Sequence, residues 1–193
     1  MHKMIKHLTV TLIFPLFMSG CQFTSEDNPN FKLSDDQKIV LMRHAEKPQD
    51  GDNLSCQGLN RSLALPKVLN EIIGIPDHIY IPSIKNDQST KHVRMLQTIT
   101  PFAVQYNLKI NSEYNEDEIK KVLKEIKNKQ GTILIVWSHT ELPDFAKEIG
   151  IKKSMKWEKN DFDSLWVIQN NGQKTNLSVE KQSISPSEHC LTH

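Results

Sequence analysis

Lys38-Ile39-Val40-Leu41-Met42-Arg43-His44-Ala45-Glu46-Lys47 is the stretch whose reading decides the fold. Ile39 to Met42 are apolar without alternation. A short unbroken apolar run of this kind reads as a strand buried on both faces, as in a parallel α/β sheet. Arg43 and His44 fall where that strand ends, and in open α/β sheets ligands bind outside the carboxyl ends of the strands. Thr132-Ile133-Leu134-Ile135-Val136-Trp137-Ser138-His139 repeats the arrangement. Two buried-strand patterns, each ending in histidine, imply a shared site at one edge of a sheet.

Four separated motifs carry a resemblance. Arg43-His44-Ala45 resembles the Arg-His-Gly/Ala signature of the histidine phosphatase (phosphoglycerate mutase-like) superfamily. Leu54-Ser55-Cys56-Gln57-Gly58-Leu59-Asn60-Arg61 is similar to its Leu-Ser/Thr-x-x-Gly-x-x-Arg stretch. Ser89 to Thr98, with Arg94, Gln97 and Thr98, resembles its Ser-x-x-x-Arg-x-x-Gln-Thr segment, and Pro101 follows. His139, with the helix expected after it, corresponds to the second histidine. The resemblance covers roughly residues 38–170. It implies a three-layer α/β/α sandwich with a mostly parallel central sheet, the histidine phosphatase fold, over residues 37–193. It also implies a phosphoric monoester hydrolase working through a phosphohistidine on His44, with Arg43, Arg94 and His139 binding the phosphoryl group.

Composition agrees with one domain: 193 residues can bury a sizeable core. The 24 basic residues include only three arginines, Arg43, Arg61 and Arg94. All three lie in the quoted motifs, where a planar guanidinium makes bidentate phosphate contacts that lysine cannot. Arg61 is read as reaching the site or as a packing residue. The formal charge is +1, and setting Lys3 and Lys6 aside makes it −1. No basic tract points to nucleic acid.

Between the motifs the chain reads as follows. Ser55 is an expected helix N-cap, with Leu65, Leu69, Ile72 and Ile73 at helical spacing behind it. Pro66 should kink or interrupt that helix. Asp77–Ser83 reads as a strand with His78 at its start, and Leu108–Ile110 as the start of another. Ile119, Val122, Leu123 and Ile126 form one apolar helix face, with Gly131 expected to end the helix. Asp161–Ile168 reads as a late strand, and Asn170-Asn171-Gly172 as a hairpin turn into 176–180. His92, His189 and His193 are assigned no role.

The chemistry sets requirements. Phosphoryl transfer needs an in-line nucleophile and fixed positive charge around the phosphoryl oxygens. A neutral imidazole serves as nucleophile when its other nitrogen donates to a fixed acceptor, and cationic neighbours favour the neutral form. Arg43, Arg94 and a protonated His139 would supply the charge, with no metal or other cofactor. The leaving alkoxide needs a proton. Glu116 and Glu141 are preferred as its source, and Glu113 and Glu46 complete the candidates. A rival reading makes His44, His139 and glutamates a metal site, but the spacing is not a ligand pattern and Arg43 would repel a cation.

Residues 1–20 read as a signal peptide, with a basic start and an apolar segment, Leu8–Met18, too short to span a bilayer comfortably. Met18-Ser19-Gly20-Cys21 resembles a bacterial lipobox, which implies lipidation at Cys21. The alternative is an ordinary secretory signal. Gln22 resembles the residue that sorts lipoproteins to the outer membrane. Residues 21–36 then read as a tether, and the domain as exported, on the periplasmic side of the cell envelope. In that compartment Cys56 and Cys190 form one bridge or remain two thiols. The expected substrate is a small phosphomonoester, with a phosphorylated sugar or a lipopolysaccharide component as one option. A non-catalytic lipoprotein binding an anionic phosphorylated ligand is the alternative from another class.

Overall fold

The computed structural model describes residues 31–84, 91–172 and 174–190. The expected signal peptide, Cys21, most of the tether and His193 lie outside them. In chain order the elements are β1 (Gln37–Arg43), α1 (Cys56–Ile73), β2 (His78–Tyr80), a 3₁₀ turn (Lys91–Val93), α2 (Arg94–Tyr106), β3 (Ile110–Asn111), α3 (Ile119–Ile126), β4 (Gly131–Trp137), α4 (Leu142–Ile149), β5 (Ser164–Asn170) and β6 (Thr175–Lys181). The strands form one sheet in the order β3-β2-β4-β1-β5-β6. Pairings among β1 to β4 are parallel, and β5 runs antiparallel to both its neighbours.

The sheet is covered on both sides, which is why its central strands carry no polar alternation. Ile39, Leu41, Ile133, Ile135 and Trp137 point to one face, against Val122 and Ile126 of α3 and Phe145 and Ile149 of α4. Val40, Met42, Leu134 and Val136 point to the other, against Leu65 and Leu69 of α1 and Ile99 and Phe102 of α2. The result is the expected three-layer sandwich with a mostly parallel sheet.

Several boundaries differ from the sequence reading. Pro66 does not interrupt α1, which runs unbroken from Cys56 to Ile73. The proline removes one backbone donor, and Leu65, Pro66 and Leu69 are all buried against the sheet, so packing outweighs the lost bond. Gly131 does not end α3, which stops at Ile126. It begins β4 instead, with φ near +81°, and a Cβ there would lie 2.0 Å from Asp77 Oδ2, the oxygen that accepts from Thr132 N at 2.8 Å. The glycine thus makes room for the carboxylate that ties β4 to the start of β2.

The tether does not extend to residue 36. Phe31 and Leu33 are buried in the core on the α3/α4 side, and the Leu33 carbonyl accepts from Asn170 Nδ2 at 3.3 Å. The apolar pair in an otherwise polar stretch plugs the sheet's lower edge, so residues 31–36 belong to the domain. Leu33→Ala is expected to lower the unfolding free energy by about 2–4 kcal/mol in a urea titration, as for a fully buried leucine. A loss under ~0.5 kcal/mol would return these residues to the tether.

Candidate active site

The register of β1 on β4, with Arg43 opposite Trp137, brings the two histidine-bearing strand ends together. His44 and His139 leave adjacent parallel strands at the same edge of the sheet. Arg94, the first residue of α2, is near enough for its charge to act on His44. Burial, Arg43, Arg94 and His139 all act on the His44 imidazole, which places the four expected site residues in one electrostatic neighbourhood.

His44 is 5% exposed, and its Nδ1 lies 2.6 Å from the carbonyl of Ala45. A carbonyl can only accept, so Nδ1 carries the proton and Nε2 keeps its lone pair. Burial, first, then the charges of Arg43, Arg94 and, when protonated, His139 hold the imidazole pKa down at about 4, although the Ala45 bond pulls the other way. At neutral pH the ring is therefore uncharged, with a nucleophilic nitrogen.

The two arginines are held differently. Arg43 donates from its guanidinium to the carbonyls of Lys159 (2.5 Å) and Asp161 (3.4 Å). Its Cζ sits 3.9 Å from the centre of the Phe162 ring, a cation–π contact. Burial lowers its pKa to about 10, against the pull of Asp161 and Glu46, which leaves it cationic at neutral pH. Its Nε is buried with no acceptor among the described residues. Arg94 donates to the carbonyls of Gly51 (2.6 Å) and Asn53 (3.4 Å). Gln97 accepts from Leu54 N at 3.1 Å, and Thr98 Oγ1 accepts from Ala45 N at 2.8 Å. The Arg-x-x-Gln-Thr face of α2 thus fixes the 51–54 loop and the backbone beside His44.

His139 is half-buried. Burial, then Arg43, Lys159 and Lys47, lower its pKa, and Glu116 raises it. The sequence reading expected it protonated, whereas these neighbours favour the neutral ring until an anion enters.

Arg61 and Glu46 resolve each other. The Arg61 guanidinium grips both Glu46 oxygens, at 2.8 to 3.0 Å, and both side chains are buried. Arg61 also donates to Gln182 Oε1 at 3.0 Å and the Ile184 carbonyl at 3.3 Å. It is therefore a structural residue that locks the loop after His44. Glu46, engaged in that pair, is poorly placed to give up a proton. Gly58 packs so tightly on this loop that a Cβ would lie 2.1 Å from the Glu46 carbonyl, which accounts for the glycine in α1. Ser55 caps the helix, accepting from Gly58 N at 3.1 Å. A disulfide joins Cys56, the first residue of α1, to Cys190 in the tail.

The other carboxylates separate. Glu113 is exposed, and its charge acts on Tyr80 and Tyr114. Glu141 lines an acidic groove between α3 and α4 with Asp117 and Asp144, and burial, then Glu116 and Asp144, raise its pKa. Glu116 is near enough to His139 to raise its pKa and pairs with His92 at 3.7 Å. Sequence reasoning left His92 idle and passed over Phe162, and no local motif pointed to either. Among the described residues no three His, Cys, Asp or Glu side chains cluster as a metal cage would require.

The sequence matches no protein-family model and no curated protein. Among solved structures it is similar to a mycobacterial glucosyl-3-phosphoglycerate phosphatase in complex with inorganic phosphate. The TM-score is 0.56 at 11% identity, over 77% of this chain and 99% of that one. It is also similar to a phosphoserine phosphatase variant from Entamoeba histolytica in complex with phosphoserine (TM-score 0.51, 13% identity, 76% and 98% covered). A third is a SixA protein from Nakamurella multipartitia, assigned as a phosphohistidine phosphatase (TM-score 0.51, 15% identity, 79% and 99% covered). At such identities the likeness is one of fold alone.

Removing Arg61 would strand a buried carboxylate. Arg61→Ala is expected to cost about 3–5 kcal/mol in denaturant unfolding, and Glu46→Gln with Arg61→Met much less, because the pair is removed together. Equal losses in the two variants would mean that the ion pair is not what the loop depends on.

Proposed function

We propose that this protein is a metal-independent phosphatase that hydrolyses phosphomonoesters through a phosphohistidine on His44. The observation that carries the reading is the Nδ1–H bond from His44 to the Ala45 carbonyl inside a pocket with two buried arginines. It leaves Nε2 unprotonated and aimed by the backbone, as nucleophilic catalysis requires. The fold shared with proteins named as phosphatases supports it.

The substrate phosphate sits between Arg43, Arg94 and His139. The unpartnered Arg43 Nε gains a phosphoryl oxygen as acceptor, and the incoming dianion raises the His139 pKa, so that this ring binds as a cation. His44 Nε2 attacks phosphorus as the P–O bond to the alcohol breaks. The alkoxide takes a proton from Glu116, whose charge acts on His139. Water then attacks phosphorus, the P–N bond returns its electron pair to Nε2, and Glu116 accepts the water's proton. The arginines and His139 neutralise the three equatorial oxygens throughout.

In this reading the mature chain begins at Cys21, is lipidated there and faces the periplasm from the outer membrane. Its substrate is a small phosphorylated compound, a phosphosugar or a lipopolysaccharide component.

Hydrolysis of an aryl phosphate in the presence of a chelator is the first test, because that leaving group needs little protonation. Activity is expected to survive chelation, to vanish in His44→Ala, and to show an acid limb in kcat/KM near pH 4 rather than 6.5, where free imidazole titrates. Loss of activity on chelation would overturn the mechanism, and an inert wild-type protein that binds phosphate would favour a purely ligand-binding lipoprotein. Glu116→Gln separates the proton donor: alkyl phosphate turnover is expected to fall about 10²–10⁴-fold with aryl phosphate turnover nearly unchanged. An equal loss on both substrates would assign Glu116 to positioning instead.

A further inference from the structure

At the opposite end of the sheet from His44 lies a groove of about 670 Å³. One wall is the segment after α4, with Ile151, Lys152, Lys153 and Met155. The other is Lys174 and the edge strand β6 from Thr175 to Val179, with Leu177 between them. Its floor is apolar, and Val179 is 47% exposed. Its rim is basic: Lys152, Lys153 and Lys174 are exposed, and none forms an ion pair among the described residues. By contrast Lys121, Lys129, Lys156 and Lys181 each sit on a carboxylate.

The position of the chain's entry gives this groove a direction. Phe31 and Leu33 are buried in the same core cluster on which Ile151, Met155 and Leu177 pack. The Leu33 carbonyl is held by Asn170, the residue paired with Thr175 at the start of β6. Exposed Lys32 lies between Phe31 and Leu33. The described chain therefore enters the domain beside the groove, at the amino-terminal edge of β1. Nine residues lie between Cys21 and Phe31, and the ten Cα–Cα steps span at most ~36 Å. A lipid at Cys21 keeps this edge within reach of the bilayer.

We infer that the lysine-rimmed groove and the adjoining Lys32 form a docking surface for an anionic lipid bilayer. The lysines contact lipid phosphates while Val179, Leu177 and Met155 face the interfacial layer. Docked this way, β1 points away from the bilayer, and the pocket at its carboxyl end opens toward the aqueous compartment. Of the substrates proposed above, this orientation favours a diffusible phosphosugar over a lipopolysaccharide component still held in the membrane that anchors the protein. The inference rests on the proposed lipid anchor for its geometry, and the charge pattern supports it independently.

Amide hydrogen exchange on the full chain tests it, using vesicles of phosphatidylcholine alone and of phosphatidylcholine with phosphatidylglycerol. Exchange at 150–155 and 174–179 is expected to slow several-fold only with the anionic lipid. It should recover in ~0.5 M salt, where the screening length falls below ~5 Å. The combined variant Lys32→Ser, Lys152→Ser, Lys153→Ser and Lys174→Ser should lose the protection while β1 and β4 amides stay protected and aryl phosphate turnover is unchanged. Equal exchange in the two vesicle types would overturn the docking surface. So would protection that appears without vesicles as concentration rises, which would give the groove to a second copy of the chain. Failure to sediment with pure phosphatidylcholine would remove the anchor alone, since the anionic vesicles still report on the groove.

Discussion

The parallel register of β1 on β4 is the constraint on which the site depends. With Arg43 opposite Trp137, the two strands release His44 and His139 at the same height, one residue apart in register. A slip of one residue would move one histidine about 3.3 Å along the sheet and exchange the faces of every side chain in the strand. Both faces are apolar, so hydrophobicity alone would tolerate the exchange. Shape does not: Trp137 lies edge-on to Phe145 of α4, whereas Val136 meets the helices on the other side. Close packing of unlike volumes holds the register.

Behind His44, the backbone between Ala45 and Ser55 is tied down at several points. The Ala45 carbonyl takes His44, its N–H goes to Thr98, and the Glu46 carbonyl accepts from Ser55 N at 3.0 Å. The Glu46 carboxylate is clamped by Arg61, and Arg61 in turn holds Gln182 and the Ile184 carbonyl. The tail is thus part of the support for the loop, and the disulfide from Cys190 to Cys56 binds it to α1. Such a supporting shell holds an imidazole to within the tolerance that catalysis needs.

Positive charge is gathered around His44 by Arg43 and Arg94. Arg43 and Arg94 donate to backbone carbonyls, and Arg43 lies over the Phe162 ring, while Asp161 and Glu46 act on Arg43 and Asp52 on Arg94 through their charges. Carbonyl dipoles and a ring quadrupole keep a guanidinium buried without cancelling its charge. A carboxylate partner would neutralise it, as Glu46 neutralises Arg61. The difference between the two arrangements separates Arg61, paired with a buried carboxylate, from Arg43 and Arg94, which are held by backbone carbonyls.

Much of this was legible in the chain. The unbroken runs Ile39–Met42 and Ile133–Trp137 identified double-sided strands, because burial on both faces leaves no place for polar alternation. The Arg-x-x-Gln-Thr spacing placed Arg94, Gln97 and Thr98 on one helix face, since helical periodicity is local. Boundaries that depend on distant partners were not legible: Pro66 inside a continuous helix, Gly131 opening a strand beside Asp77, and Phe31 and Leu33 sealing the lower edge. The roles of Arg61 and Glu46 were undecidable in sequence because each is defined by the other across fifteen positions. Phe162 and His92 carry no motif and become neighbours of the site only when β5 and α2 are laid against β1 and β4. Sequence by itself determined the layered fold and the residues at the strand ends, through periodicity and local chemistry. Which charges are neutralised and which are held by carbonyls were decided by tertiary structure alone, because burial and pairing are properties of contacts between segments far apart in the chain.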